Sequence, residues 1–365
     1  MEPYSILLGP LIDRGVVKMV LDSGLPETLQ LLRHENVQHV HVTGAESTAK
    51  AIRQTLDEAG KTSATLTSEL GCATPFALFP GEYSENELKN SASMIAAAKK
   101  SNAGANCLAA QVVVIPDNWD QKDKFRSLLK NELARQPTFP IWYPGSLEKK
   151  KKFMEKYPSH ELIDSENRCA DATCEDDVVL IDCGSYPSDD FDNFVTCNEA
   201  FSPILAQVLL KESSKQKYQD TLVEFLNSSE ICGSLSCTLL VPATAPPDVI
   251  DDVLNRLRFG SVCKNIWSVF AYAACGQGSL WGAHPRGDGR SGVGFVGNNL
   301  CVDGAENAIV DGGGLEKLGI DMSARVPTLL LDVIYFGVVR RSLFGVLRLI
   351  VSAGLQGVRK LVRIN

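Results

Sequence analysis

The fold class this sequence predicts is α/β, built on an open sheet. Three observations predict it: Val37 to Ala59 reads as half of a βαβ unit, strand and helix patterns keep alternating as far as Gln136, and short strand-like runs recur through to Lys264. At 365 residues the chain has room for about two domains and a sizeable core.

In order along the chain, Leu11 to Leu21 carries Ile12, Val16, Val17 and Val20 at helical spacing, and Glu27 to Arg33 repeats the pattern. Val37, Val40 and Val42 interleave with His39 and His41 as a short strand. Gly44 turns the chain into Glu46 to Ala59, a helix with Ala49, Ile52 and Leu56 on one face. Ala64 to Glu69 is the second strand. A loop punctuated by Gly71, Pro75, Pro80 and Gly81 leads into a helix over Glu85 to Lys100. Ala110 to Ile115 is an apolar strand and Asp120 to Gln136 a further helix. Strand-like runs follow at Val178 to Ile181, Ile204 to Leu210, Cys237 to Val241 and Ser261 to Lys264, with a helix over Asp248 to Leu257 and a Gly-rich stretch from Gly276 to Gly297.

Composition narrows the function classes. With 44% hydrophobic and 22% charged residues the chain is neither disordered nor fibrous, and a net charge of −8 gives no general affinity for nucleic acid. No apolar run approaches the roughly 20 residues that span a bilayer. Met1-Glu2-Pro3-Tyr4 lacks the basic and apolar regions of a signal peptide. Eleven cysteines without a CxxC pair, and five histidines without ligand spacing, lead to an expectation of no metal site and a reducing, cytoplasmic setting. Lys149 to Lys152 reads as the solvated start of a helix and Asp171 to Asp177 as an acidic loop. From Arg325 to Asn365 seven basic residues face the single acid Asp332, and Arg348 interrupts an apolar stretch. That tail is expected to form amphipathic helices packed on the body or on a second subunit of a homo-oligomer, with membrane-surface contact as the alternative.

Three segments carry candidate chemistry. Glu69-Leu70-Gly71 ends a predicted strand. Asn102-Ala103-Gly104-Ala105-Asn106-Cys107 is a small-residue loop before a buried strand, and Glu199-Ala200-Phe201-Ser202-Pro203 enters another. Cys107 is the best nucleophile candidate, because amides of a small-residue loop can lower a thiol's pKa and stabilise an oxyanion. A thiolate attacking a carbonyl needs a carboxylate to activate water for the second half of the reaction, and Glu69 could supply it.

In their order these segments resemble the aldehyde dehydrogenase superfamily, whose Glu-Leu-Gly base motif, Asn-x-Gly-Gln-x-Cys nucleophile loop and Glu-x-Phe-x-Pro cofactor motif follow in the same sequence. Val42-Thr43-Gly44-Ala45 is similar to the family's strand–turn against the cofactor. Leu257 to Val262 with Asn265 resembles its Gly-Thr-Val-x-x-Asn strand, and Trp281-Gly282-Ala283 with Ser291-Gly292 its C-terminal tunnel motif. The resemblance runs from about Val37 to Gly294. It implies a partial Rossmann-type cofactor domain over residues 1–69, an α/β catalytic thiol domain over 70–300 and a tail over 301–365. It also implies NAD or NADP as cofactor and a small-molecule aldehyde as substrate, with Cys107 as nucleophile and Glu69 as base. Glu199 would hold the nicotinamide ribose, Phe201 would pack beside the nicotinamide, and Gly44 would let the cofactor approach. Asn265 would stand either at the tunnel wall or in strand-end hydrogen bonding.

Five positions depart from the family pattern. Cys72-Ala73 replaces Gly-Lys after the base motif, Ala105 the glutamine before the nucleophile, Ala45 the serine after the turn glycine, and Ser202 the glycine of the cofactor motif. The family's first βαβ unit has no counterpart before Met1, so the expectation divides between a piece of a longer enzyme and a non-enzymatic relative. An acylating enzyme that passes the thioester to coenzyme A is a third reading.

Overall fold

The computed structural model describes residues 2–20, 25–212, 217–277, 280–298 and 300–312. These divide into two compact units, the first ending at Thr67 and the second beginning at Ser68.

The first unit holds α1 (Glu2–Ile12), α2 (Leu25–Arg33), β1 (His39–Thr43), α3 (Glu46–Glu58) and the first three residues of β2 (Thr65–Glu69). Its small core is Leu32, Leu56 and Ala64, packed by Leu29, Val40 and Ile52. The helix expected over Leu11 to Leu21 does not run past Ile12 among the described residues. α1 stops at Ile12 because Gly15 takes a left-handed φ of 68°, and the Val16 amide bonds back to the Leu11 carbonyl.

The second unit is built on an eight-stranded sheet in the order β13-β9-β8-β3-β4-β7-β6-β5. In chain order its elements are β3 (Pro75–Leu78), α4 (Glu85–Lys100), β4 (Val112–Pro116), α5 (Lys122–Arg135), α6 (Ser146–Lys156), β5 (Glu161–Ile163), β6 (Val178–Tyr186), α7 (Phe194–Cys197), β7 (Ile204–Leu210), α8 (Tyr218–Leu226), β8 (Ser236–Leu240), α9 (Pro247–Arg256), β9 (Ser261–Lys264), α10 (Val269–Ala273), β10 (Trp281–Gly282), β11 (Gly292–Val293), β12 (Phe295–Gly297) and β13 (Ala308–Asp311). Every pairing in that sheet is parallel except β5 with β6. Central strands of such a sheet are covered on both faces, which fits the uninterrupted apolar runs Val112 to Ile115 and Ile204 to Ala206.

Three sequence expectations need correction here. Gly71 to Gly81 is not all loop, since β3 lies within it, fully buried between β4 and β8. Pro75 is tolerated as the strand's first residue, where its missing N–H costs least. In the four-lysine run, Lys150 is buried and donates to the carbonyls of Glu175 and Asp177, while its three neighbours stay exposed. Within the acidic segment, Asp176 and Asp177 are buried. Asp176 accepts the Thr173 and Ile141 amides, and Asp177 pairs with Arg168. The tail from Arg325 lies outside the described residues.

Candidate functional site

The site grows from the end of α4. Ser84 and Glu87 form a reciprocal cap at its start, with Ser84 N donating to Glu87 Oε2 at 2.7 Å. At its far end Asn102, Ala103 and Gly104 turn left-handed in succession, with φ of 55°, 51° and 73°. For the alanine and asparagine that conformation costs on the order of 1–2 kcal/mol each. Close packing holds it in place: a Cβ on Gly104 would stand 2.5 Å from the Ser202 carbonyl oxygen. The loop is therefore made of small residues because the backbone of the 199–203 segment lies against it. Asn102 and Asn106 close it internally, donating to the Ala105 and Ser101 carbonyls, and Trp267 Nε1 anchors its exit at the Leu108 carbonyl, 2.8 Å away.

Cys107 emerges from this turn half-buried. Its Sγ donates to Glu69 Oε1 at 3.4 Å, and its carbonyl accepts from Thr74 Oγ1 at 2.8 Å. Glu69, 5% exposed, closes β2, where Glu69 and Ser68 pair antiparallel with Gly292 and Val293. Ser291 locks that corner: its hydroxyl donates to the Gly71 carbonyl at 2.8 Å and accepts the Ser234 amide, and its carbonyl takes the Leu70 amide. Two residues 38 positions apart in sequence thus meet as the motif order led one to expect.

Glu199 joins them from the other side. Its Oε1 accepts the Cys72 amide at 3.2 Å, and a Cβ on Gly71 would lie 2.6 Å from its carboxyl carbon. Only glycine at position 71 lets the carboxylate in. Burial raises the Glu199 pKa, opposed by the Cys72 amide and by the charges of Lys149 and Lys99. Phe201 follows at a left-handed φ of 48°, its ring edge-on to Tyr143 at 4.9 Å with Lys149 Nζ 5.8 Å from the ring centre.

The electrostatics of the thiol depart from the sequence expectation. No loop amide reaches Cys107 Sγ among the described residues. Burial, and then the adjacent Glu69 carboxylate, hold the thiol well above its ordinary pKa. At rest the pair stores its proton on sulfur rather than presenting a free thiolate.

Asn265 has both amide atoms engaged by Val241, whose N–H it accepts at 2.8 Å and whose carbonyl it donates to at 2.9 Å, from a φ of 53°. That geometry is the strand-end reading. Gly44 lies in the first unit, at the turn after β1, with open space where a side chain would be.

Several residues of the site carry no motif signal. Gln111 secures the Glu199 segment by donating to the Val195 and Asn198 carbonyls and accepting the Ala200 amide. Trp142, though exposed, donates its indole N–H to Asn102 Oδ1 at 2.7 Å and stands edge-on to Tyr143. Lys99 is 1% exposed and donates to the Ser202 carbonyl at 3.1 Å, and burial brings its pKa down to about 7 despite the pull of Glu199. The Ser202 hydroxyl, fully buried, has no hydrogen bond among the described residues.

For a nicotinamide cofactor, these residues fit. Among the described residues the Glu199 carboxylate makes one hydrogen bond, to the Cys72 amide, which leaves acceptor capacity for ribose hydroxyls, and the Phe201 ring is part-exposed. Among the described residues no cluster of His, Cys, Asp and Glu is arranged to hold a metal ion. No helix among them is long and apolar enough to cross a membrane.

Comparison with known proteins follows this geometry. Residues 9–139 match the sequence model of the aldehyde dehydrogenase family, a span that includes Glu69 and Cys107. No curated protein matches the chain. Betaine aldehyde dehydrogenase from Staphylococcus aureus, solved with NAD+, is similar at a TM-score of 0.58 and 17% identity over 81% of this chain and 56% of that one. Gamma-glutamyl-gamma-aminobutyraldehyde dehydrogenase from Burkholderia cenocepacia gives 0.55 and 19% over 74% and 51%. An aldehyde dehydrogenase from Bacillus cereus gives 0.54 and 17% over 75% and 51%. The chain spans about half the length of these solved proteins. The resemblance is borne out in the family's sequence pattern over residues 9–139 and in its fold.

Proposed function

From the premise that this chain shares the aldehyde dehydrogenase fold and, over residues 9–139, its sequence pattern, we propose that it oxidises a small aldehyde to the acid through a covalent bond to Cys107, with NAD or NADP as cofactor. The observation that carries the reading is the contact of Cys107 Sγ with Glu69 Oε1 at 3.4 Å, with the Glu199 carboxylate seated against Gly71 on the same corner.

The chemistry begins with the shared proton. Glu69 takes it as the sulfur adds to the aldehyde carbon, so the thiolate is generated only at the moment of attack. Glu199 would hold the nicotinamide ribose and Phe201 would flank the ring. When bound, the nicotinamide supplies the hydride acceptor that turns the hemithioacetal on Cys107 into a thioester. Glu69 passes the thiol proton to solvent, then accepts one from water as the water adds to the thioester, and returns it to the departing sulfur, releasing the acid and restoring the thiol.

The altered flanks, Cys72-Ala73 after the Glu69 segment and Ala105 before Cys107, favour a second reading, a non-enzymatic relative that has kept the fold as a binding or assembly subunit. One assay decides between them. The purified chain is offered a panel of aldehydes with NAD+ and with NADP+, and reduced nicotinamide is followed beside Cys107→Ala. Turnover abolished in the variant supports the enzyme. No turnover with any aldehyde, in the presence of both cofactors, leaves the second reading. Adding coenzyme A and identifying the product as acid or thioester separates hydrolysis from acyl transfer.

A further inference from the structure

Away from Cys107, Glu69, Glu199 and Phe201, the second unit holds a cavity of about 460 Å³ where the ends of α8 and α9 meet the segments around His284 and Glu306. That volume lies in the range of small-molecule sites, about 300–1,000 Å³. Its floor is apolar, formed by the buried Val223 and Leu257, and its wall carries three guanidinium groups against one carboxylate, in a chain whose net charge is −8.

Two of those guanidiniums are already engaged. Arg256 pairs with Asp220 and Asp252, each at 2.8 Å, and Arg286 pairs with Glu306. A cation in the last turn of α9 complements the helix dipole, which accounts for Arg256 without any ligand. It does not account for the other two groups. Arg258 makes no ion pair or side-chain hydrogen bond among the described residues. Its backbone is nonetheless fixed over the cavity by Asn227, which accepts the Arg258 amide at 2.8 Å and donates to the Arg256 carbonyl at 2.9 Å. The His284 side chain is 2% exposed. Its Nδ1 accepts the Arg286 amide at 3.1 Å, which puts the proton of the neutral ring on Nε2. That N–H has no hydrogen-bond acceptor among the described residues, since Glu306 Oε2 stands 3.9 Å away. The buried ring lines the cavity, so this N–H is available to an acceptor bound there.

We propose that this cavity binds the oxyanion head of a small organic molecule, with Arg258 and His284 Nε2 donating to it and Arg286 completing the charge, and with the rest of the molecule on Val223 and Leu257. Guanidinium forks match phosphate and carboxylate alike, so the shared chemistry is the oxyanion group. The site is independent of the catalytic reading and stands or falls separately from it.

The test is calorimetric titration of the full chain with inorganic phosphate, glycerol phosphate and succinate, each against sodium chloride at matched ionic strength. Binding to at least one of the three is expected, weakened about tenfold or more in Arg258→Gln, partly restored in Arg258→Lys, and unchanged in Lys151→Gln on α6. Because Arg258 is exposed, its replacement does not threaten the fold. Glycerol phosphate tighter than phosphate assigns the head to an organic phosphate, equal affinities assign it to the free ion, and tighter succinate assigns it to a carboxylate. Heats no larger than with chloride for all three, or equal affinity in wild type and Arg258→Gln, overturn the proposal.

Discussion

Replacing Lys99 by methionine should make this protein more stable at neutral pH, and the gain should fade as the pH rises. Lys99 lies at the end of α4, 1% exposed, and burial lowers its pKa from 10.5 to about 7. Between those two values the unfolded chain holds a proton that the folded chain has released, so stability rises with pH through that window. At and below about pH 7 the cost of the buried charge is nearly or fully present. At about 1.36 kcal/mol per pH unit the interval corresponds to roughly 4–5 kcal/mol. Methionine removes that cost while keeping the volume of the stem, but it takes away one of the two donors to the Ser202 carbonyl, the Ile204 amide remaining at 2.7 Å, a loss of about 0.5–1.5 kcal/mol. The net expectation is a gain of about 3–4 kcal/mol near pH 7 that vanishes or reverses near pH 10. Urea unfolding of both proteins at several pH values in that range gives the difference curve. Taking the difference isolates Lys99 from Lys100 and Lys150, whose pKa values burial also lowers, to about 8. A difference independent of pH, or a Lys99→Met protein less stable at pH 7, would refute the reasoning.

Two further outcomes follow from the site. Iodoacetamide should label Cys107 more slowly at neutral pH than the exposed Cys174 and Cys301, with a rate still climbing above about pH 9. Glu69→Gln should accelerate it by removing the charge that raises the thiol pKa, and peptide mapping of the label against time reads both. Gly104→Ala should destabilise the chain by about 2–4 kcal/mol in urea unfolding, because a Cβ 2.5 Å from the Ser202 carbonyl oxygen adds overpacking to a left-handed backbone. Unchanged stability would mean that the two loops can move apart without cost.

Much of the site was legible because its chemistry sits at element boundaries that periodicity marks well. Glu69 closes a strand, Cys107 follows a capped helix, and Glu199 precedes an apolar strand, so the motif order alone brought the first two together. What stayed hidden is held by long-range packing. β3 was masked by Pro75 and Pro80, whose punctuation outweighs a four-residue apolar run. Lys99 and Lys100 end a predicted helix, and nothing local announces that this end is buried. Gln111 looks like the polar start of a strand until its amide is seen bonded to three backbone groups of the segment that carries Glu199. The raised thiol pKa was invisible for the same reason, since it depends on burial of the sulfur and on the Glu69 carboxylate beside it rather than on the loop's composition.

The left-handed turn at Asn102–Gly104 works as a gauge. Main chain rests on main chain where Gly104 meets Ser202, so the closest approach between the Cys107 loop and the segment carrying Glu199 is a backbone contact, with the Lys99 side chain donating to the same carbonyl. Letters of the surrounding motif can then drift, as they have at Ala105 and Ser202, while the spacing stays constant. The position least free to drift is Gly104 itself. A glycine with left-handed neighbours, opposed to a carbonyl across the gap, is what this backbone contact requires, whatever letters surround it.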